Sequence, residues 1–472
     1  MHPDHKTRST TSLEDRALQN VRLLVERNRQ DTGLDGDREH VTPRPIRSAG
    51  IIGAGLMGTS IAAAHVKHGL RVVITDLDPR VLSAAPHRIA AIWAGGTPDV
   101  ETKRVIARLL ETAAEQPAVA CCDLVLESIV ETFGAKSKLY GQLEGQLSPE
   151  ALLASNTSTI PIGRLAASLA DPARFCGFHF CHPVHERPLV EVIRGPKTSD
   201  QTVATLVAHA KAIGKMPIVM QDGPGFLVNR LLAPYLSEAL DLLLEGASMR
   251  AIEQAAVDFG MAKGPLRLLD EIGLDTVLQG GLILAAAFPE RITASPLLVA
   301  MVKAGRIGRK AGAGFFSYPS PDQLSGPEAT GTAAESTAEQ IVAKIVAPWA
   351  RPRQSHTPHG ITMRLLLPMV LEATRVLEDN KVRDPRDIDL AAIFGLGFPA
   401  SRGGLLWWAD TLGARRVSEM LEPLRRLGPR TEPTPMLQGL ARSHGHFYQG
   451  LSSTTPTRVG ATSGVKPWPN SP

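Results

Sequence analysis

The chain has 472 residues, of which 43% are hydrophobic and 21% charged, with 51 Lys plus Arg against 47 Asp plus Glu. That length exceeds what one core normally supports, so two to four domains of roughly 100 to 200 residues are expected, and the near-average composition excludes a fibrous or wholly disordered chain. A net charge of +4 on so long a chain argues against a dedicated nucleic-acid binder.

The four cysteines, Cys121, Cys122, Cys176 and Cys181, have neither CxxC spacing nor companion histidines at zinc-site spacing. No metal is therefore expected, and a reduced, cytoplasmic protein is. The charged N-terminus holds no apolar run of signal-peptide length, so no export is expected. The most apolar later stretch, around Val277 to Phe288, is too short and Gly-interrupted for membrane insertion.

Residues 1–45 hold one amphipathic pattern, Leu13 to Arg29, followed by a Gly/Asp/Pro-rich run to Pro45, and read as a linker or tail. From Ile46 onward short apolar runs alternate with helical patterns: Ala49 to Ile52, Arg71 to Thr75, Leu124 to Leu126, Leu152 to Ala154, Phe175 to Phe180 and Ile218 to Val219. This alternation predicts a mostly parallel sheet covered by helices, an α/β Rossmann-type domain over residues 46–225.

Its first strand runs into Gly53, Gly55 and Gly58, a G-x-G-x-x-G turn that also carries Met57 and opens an Ala-rich helix. Gly53 permits the tight turn, Gly55 lets backbone approach a pyrophosphate, and Gly58 lets helix pack on strand, while free helix-terminal amides receive the negative charge. The second strand ends in Asp76, 18 residues after Gly58, where a carboxylate bonds an adenosine ribose and repels a 2′-phosphate. NAD is thus expected over NADP, with a flavin or a ligand-free glycine turn as the alternatives.

After Gly225 the texture becomes helical, starting with FLVNRLLAPYLSEALDLLLEG, and a first all-α module is placed at 226–318. Residues 319–338 are rich in Pro, Gly, Ser and Thr, so 319–358 reads as a linker. From Arg364, RLLLPMVLEATRVLED repeats RLLAPYLSEALDLLLE of Arg230 at an offset of 134, and Ile388 and Asp389 answer Ile252 and Glu253. A second all-α module, a duplicate of the first, is therefore expected at 359–450, with a disordered tail at 451–472.

Three segments carry the chemistry: SNTST from Ser155, GFHFCHPVHERPLVEVI from Gly177 and DGPGFLVNR from Asp222. Together with CDLVLESIVET, GPLRLLDEIGLD and RIGRKAGAGFFSY they resemble the 3-hydroxyacyl-CoA dehydrogenase family, over roughly residues 48 to 320. The repeated helical region, with GLGFPASRGGLLWWADTLGA from Gly395, is similar to the C-terminal part of multifunctional fatty-acid oxidation α subunits, in which an enoyl-CoA hydratase domain comes first. Only about 45 residues precede the Rossmann strand here, and RALQNVRLLVERNRQDTG is similar to the helix joining the two enzymes. The expectation is the dehydrogenase half alone.

The resemblance implies NAD-dependent oxidation of (S)-3-hydroxyacyl-CoA to 3-oxoacyl-CoA in fatty-acid β-oxidation. His179 becomes the catalytic base and Glu191 its orienting partner, while Ser158 and Asn229 hold the substrate. Glu131, Lys136, Ser158 and His182 line the cofactor pocket with the glycine turn and Asp76. The chemistry agrees, because removing an alcohol proton near neutral pH suits an imidazole whose second nitrogen is fixed by a carboxylate. Without the resemblance, His179 reads as a structural histidine, Ser158 and Asn229 as helix caps, and Glu131 with Lys136 as a solvated pair.

The sequence departs from the family's pattern where His182 replaces the usual Asn, and where His185, Glu186 and Arg187 replace apolar residues. No lysine pair for CoA phosphates follows Asp78, and Phe394 stands where the multifunctional proteins carry Tyr. A separate hydratase or thiolase is the implied protein partner, and the chain is expected as a monomer or homodimer. Two rival functions fit parts of the sequence: a dehydrogenase of free hydroxy acids on the same scaffold, and a non-catalytic scaffold subunit, against which Ser158, His179, Glu191 and Asn229 argue.

Overall fold

The computed structural model describes residues 12–318 and 332–448. Its centre is one eight-stranded sheet of order β3-β2-β1-β4-β5-β6-β7-β8, built from β1 (Ser48–Ile52), β2 (Arg71–Thr75), β3 (Leu110–Ala113), β4 (Leu124–Glu127), β5 (Leu152–Ser155), β6 (Phe175–Phe180), β7 (Leu189–Arg194) and β8 (Met216–Gln221). Neighbouring strands are parallel except for the antiparallel β6–β7 pair. Strand order reverses between β1 and β4, and the crevice at such a switch point is where open α/β sheets take ligands.

The central strands are buried on both faces, which explains why they read as continuous apolar runs and not as alternation. Successive residues still part to opposite sides. Ile51, Ile74, Leu126, Phe178 and Phe180 face one core, with α2 (Leu56–Lys67), α3 (Pro79–Ala94), α4 (Val100–Leu109) and α7 (Asp200–Ala212). Ile52, Val73, Val125, Leu153, Phe175 and Ile193 face the other, with α5 (Phe133–Leu143) and α6 (Ile162–Ala166). That second core continues without a break into the helical region.

The helical region starts with α8 (Val228–Leu244), α9 (Met249–Phe259), α10 (Pro265–Ile272), α11 (Leu274–Ala287) and α12 (Pro296–Lys303). Residues 319–331, about a third of the expected linker, lie outside the described residues, and the rest contains α13 (Thr332–Val346). Next come α14 (Pro358–Glu378), α15 (Pro385–Leu390), a π-helical turn over Ala391–Leu396, α16 (Leu405–Leu412), α17 (Ala414–Leu421) and α18 (Pro435–Ser443). The long helices α8 and α14 pack on each other with reciprocal buried ion pairs. Arg230 meets Glu372 at 2.7 Å, and Arg364 meets both Glu238 and Glu245, the latter at 2.9 Å.

The segment read as a linker or tail is docked. Helix α1 (Leu13–Gln30) starts at a Ser12/Asp15 capping box and buries Ala17, Asn20, Leu24 and Asn28. The Asn28 amide donates to the Pro217 carbonyl on β8 at 2.6 Å, Asn20 donates to the Gly403 carbonyl at 2.8 Å, and Arg27 pairs with Asp387 at 2.8 Å. The helix thus ties the sheet's edge strand to the second half of the helical region; the amphipathic pattern over Leu13 to Arg29 marks the helix, but with asparagines at two of its four buried positions it does not show the docking. The expected tail at 451–472 lies outside the described residues.

Candidate active site

The glycine turn follows β1 into α2, and each glycine answers a separate constraint. Gly53 has φ +104°, and a Cβ there would lie 2.4 Å from the Ser128 carbonyl oxygen. At Gly58 a Cβ would lie 1.8 Å from the Gly53 carbonyl oxygen. A Cβ at Gly55 would meet nothing within 4 Å, and this residue is the N-cap of α2, with no side-chain cap. Open space beside uncapped helix-terminal amides is what a pyrophosphate needs. Met57, the second residue of α2, is partly buried against the core on this side of the sheet.

Asp76 leaves β2 at the crevice, with one carboxylate oxygen accepting from the Ala54 amide at 2.7 Å and the other from Asp78 at 2.9 Å. Those bonds hold an anion beside the glycine turn. Leu56 at the start of α2, Leu77 next to Asp76, and Val130 just past β4 are exposed, the second at 85%, and offer uncovered apolar surface of the kind a planar base covers. The residues present fit a dinucleotide.

His179 and Glu191 are direct cross-strand partners on the antiparallel β6–β7 pair. The His179 Nδ1 to Glu191 Oε2 distance is 2.6 Å, and Glu191 is fully buried. A carboxylate facing Nδ1 makes that nitrogen the donor and leaves Nε2 with its lone pair. The other Glu191 oxygen accepts from the Leu227 and Val228 amides, each at 2.9 Å, so one carboxylate orients the imidazole and caps α8. The Phe226 ring, on a backbone with φ +51°, sits 5.9 Å from the imidazole.

Ser158 lies on the turn after β5, and its carbonyl accepts from the Asn229 side chain at 3.1 Å. Glu131 grips this turn through the Thr157 hydroxyl at 2.6 Å and the Ser158 and Thr159 amides at 2.9 and 3.0 Å. Burial raises the Glu131 pKa, but Lys136 and these donors outweigh it and hold the carboxyl below its ordinary value. Lys136 is only 1% exposed, with its ammonium 2.5 Å from Glu127 and 3.3 Å from Glu131. It therefore acts on the pocket from inside the core. The structure thus brings His179, Glu191, Ser158, Asn229, Glu131 and Lys136 into one connected region, with the glycine turn and Asp76 at the carboxyl ends of β1 and β2.

His182 sits on the exposed turn joining β6 to β7. Partial enclosure and then the neighbouring His185 outweigh Glu186 and lower its pKa, so it stays a neutral donor or acceptor at neutral pH. The turn is clamped from below by buried Lys215, whose ammonium donates to the Val184 and Arg187 carbonyls. Arg187 reaches across to Gly397 of the second helical half. The nearby Phe394 is partly buried against the helical core.

Residues 48–223 match the family model described as 3-hydroxyacyl-CoA dehydrogenase, NAD binding domain, and residues 225–318 match the C-terminal domain of the same enzyme. The chain belongs to the 3-hydroxyacyl-CoA dehydrogenase family. It is an NAD-dependent oxidoreductase, with NAD as the cofactor that the glycine turn fits. Among solved structures it is similar to (S)-3-hydroxybutyryl-CoA dehydrogenase PaaH1 from Ralstonia eutropha, with 36% identity, TM-score 0.54, and 58% of this chain and 100% of that one covered. It is also similar to a 3-hydroxybutyryl-CoA dehydrogenase from Escherichia coli, with 26% identity, TM-score 0.72, and coverage of 85% and 99%. The dehydrogenase part of multifunctional enzyme 1 from C. elegans, at 21% identity and TM-score 0.62, shares the fold over 91% of this chain and 99% of that one.

Sequence reasoning missed two residues of this dehydrogenase's site region. Glu127 closes β4 inside an apolar run, and a lone acidic residue bounded by LVL carries a strand-like signal and little else. Lys215 precedes β8 after Gly214 and reads as a surface turn lysine until the fold buries it.

Proposed function

We propose that the chain oxidises the 3-hydroxyl of (S)-3-hydroxyacyl-CoA to a ketone in fatty-acid β-oxidation, with His179 as general base. The observation that carries this reading is the buried His179–Glu191 pair at 2.6 Å at the carboxyl end of the sheet. NAD, when bound, accepts the hydride from the carbinol carbon. The chain's own work is to take the proton: the alcohol O–H donates to Nε2 while Nδ1–H stays bonded to Glu191, whose charge stabilises the imidazolium that forms. Ser158 and Asn229 hold the substrate oxygen close to Nε2, and Glu131, Lys136 and His182 shape the cofactor pocket beside them. Asp76 selects NAD by favouring a ribose 2′-hydroxyl over a phosphate. Assays pairing 3-hydroxyacyl-CoAs and free 3-hydroxy acids with NAD and NADP test this, and activity confined to free acids or to NADP would refute it.

The helical region reads as a duplicated module. What supports this is reciprocity: Arg230 pairs with Glu372 and Arg364 with Glu238, an Arg and a Glu eight residues on in each helix. Farther along, the Glu253 carboxylate accepts from the Leu266 amide as Asp389 does from Leu406, and Asp270 caps Phe315 and Phe316 as Asp410 caps Phe447 and Tyr448. Two copies facing each other bury in one chain the surface that a single copy would bury against a second subunit, which favours a monomer. We place the protein in the cytoplasm, where four free cysteines stay reduced. No helix among the described residues is long and apolar enough to cross a membrane. A separate hydratase or thiolase would supply or consume its intermediates.

A further inference from the structure

The proton transfer above gives no part to Glu127, yet this carboxylate is fully buried at the end of β4 and completely satisfied. Its Oε1 accepts from the Ile129 amide at 2.7 Å and from the Lys136 ammonium at 2.5 Å, and its Oε2 accepts from the Tyr140 hydroxyl at 2.6 Å and the Ser155 hydroxyl at 2.7 Å. A buried anion is tolerated only where such partners surround it. Lys136 passes the constraint on, because the same ammonium lies 3.3 Å from Glu131. Glu131 in turn gathers the Thr157 hydroxyl and the Ser158 and Thr159 amides on one oxygen. Its backbone carbonyl accepts from Gln279 of α11 at 3.3 Å, and the Ser158 carbonyl accepts from Asn229 of α8.

We propose that Glu127 is a positioning residue of the reaction: through Lys136 and Glu131 it fixes the 157–159 turn, and so sets where the Ser158 hydroxyl meets the substrate. This rests on the reading of Ser158 as a substrate-holding group. The geometry favours a relay over simple packing because each link is a charged or hydroxyl contact aimed at the next. A Lys136 held by Glu131 alone would draw that carboxylate inward and away from the turn amides.

The test is a double-mutant cycle of Glu127→Gln with Ser158→Ala, read as kcat/KM for a 3-hydroxyacyl-CoA at saturating NAD. Misplacing a positioning group by about 1 Å costs up to roughly 10²-fold, so Glu127→Gln alone should lose about ten- to a hundredfold. In the Ser158→Ala background the same change should cost less than about threefold, since the Ser158 hydroxyl that Glu127 positions is then gone. Glu127→Asp, which keeps the charge but shortens the reach, should show a smaller loss with the same non-additivity. Leu143→Ala, on the buried face of α5, serves as the destabilised control, with a lower Tm and unchanged kcat/KM. Full, additive losses in both backgrounds, or wild-type kcat/KM in Glu127→Gln, would overturn the proposal while leaving the dehydrogenase reading intact. A wild-type protein without hydroxyacyl-CoA turnover would instead refute that reading.

Discussion

Replacing Glu191 by Gln removes one charge and no volume, and its consequence can be worked through atom by atom. The carboxylate now takes three bonds, from His179 Nδ1 on one oxygen and from the Leu227 and Val228 amides on the other. A glutamine has a single oxygen, and two backbone N–H groups with nowhere else to turn will keep it. The NH₂ then faces Nδ1, which must become the acceptor, so the ring proton moves to Nε2, the atom that has to receive the alcohol proton. The loss in kcat should be roughly 10²–10⁴-fold. Stability should fall by only about 1 kcal/mol, because the helix terminus keeps its hydrogen bonds and loses only the anion. NADH formation under saturating substrate and cofactor reads the first effect, and a thermal melt reads the second. A kcat within about tenfold of wild type, with a stable fold, would show that the pair does not set the base's tautomer.

Other outcomes follow from the same geometry. Asp76→Ala should weaken NAD binding and narrow the preference over NADP, as read by catalytic efficiency with each cofactor; unchanged discrimination would remove Asp76 from the ribose site. Deleting residues 359–472 should uncover the α8 face that now meets α14, at roughly 25 cal/mol per Å² of apolar area, and the product should dimerise, aggregate or melt earlier. Light scattering decides that case, and a stable, active monomer would be the contrary result. His65 is fully buried, its Nε2 3.0 Å from the His209 Nε2, and desolvation pushes its pKa down to about 4. Because the unfolded imidazole takes up a proton near its ordinary value of 6.5 and the folded one resists, stability present above that pH is lost as pH falls toward about 4, by up to about 3 kcal/mol. His65→Met should flatten that acid limb in melts across the range, and an unchanged limb would exclude the pair as its source.

Much of this organisation was legible in the sequence, for identifiable reasons. Parallel strands buried on both faces leave unbroken apolar runs, which is why β1, β2 and β6 match their expected spans within a residue. The glycine turn could be read because each glycine meets its own steric limit, and His179 and Glu191 because two strands joined by a short Pro-containing turn bring twelve-apart residues into register. Strand β3 escaped notice, since it is a half-exposed edge of four residues, LETA, with no apolar run. Helix α1 shows in the amphipathic pattern from Leu13, but its docking does not, because two of its four buried residues are asparagines whose partners on β8 and beyond α15 exist only once the chain is folded. The bonding of Lys136 was hidden for the same reason. Its place in IVETFGAK fits a cofactor-pocket lysine, but only the folded β4 supplies the Glu127 that buries it.

In the proposed reaction His179, held by Glu191, removes the hydroxyl proton of a 3-hydroxyacyl-CoA as NAD is reduced. The most direct measurement is a single-turnover experiment comparing wild type with His179→Gln, both loaded with NAD and mixed with a 3-hydroxyacyl-CoA. Wild type should give a rapid NADH signal, and the variant should bind NADH with similar affinity yet form it roughly 10²–10⁴-fold more slowly. NADH formation by the variant at the wild-type rate, or none from wild type with 3-hydroxyacyl-CoAs of any chain length, would contradict it.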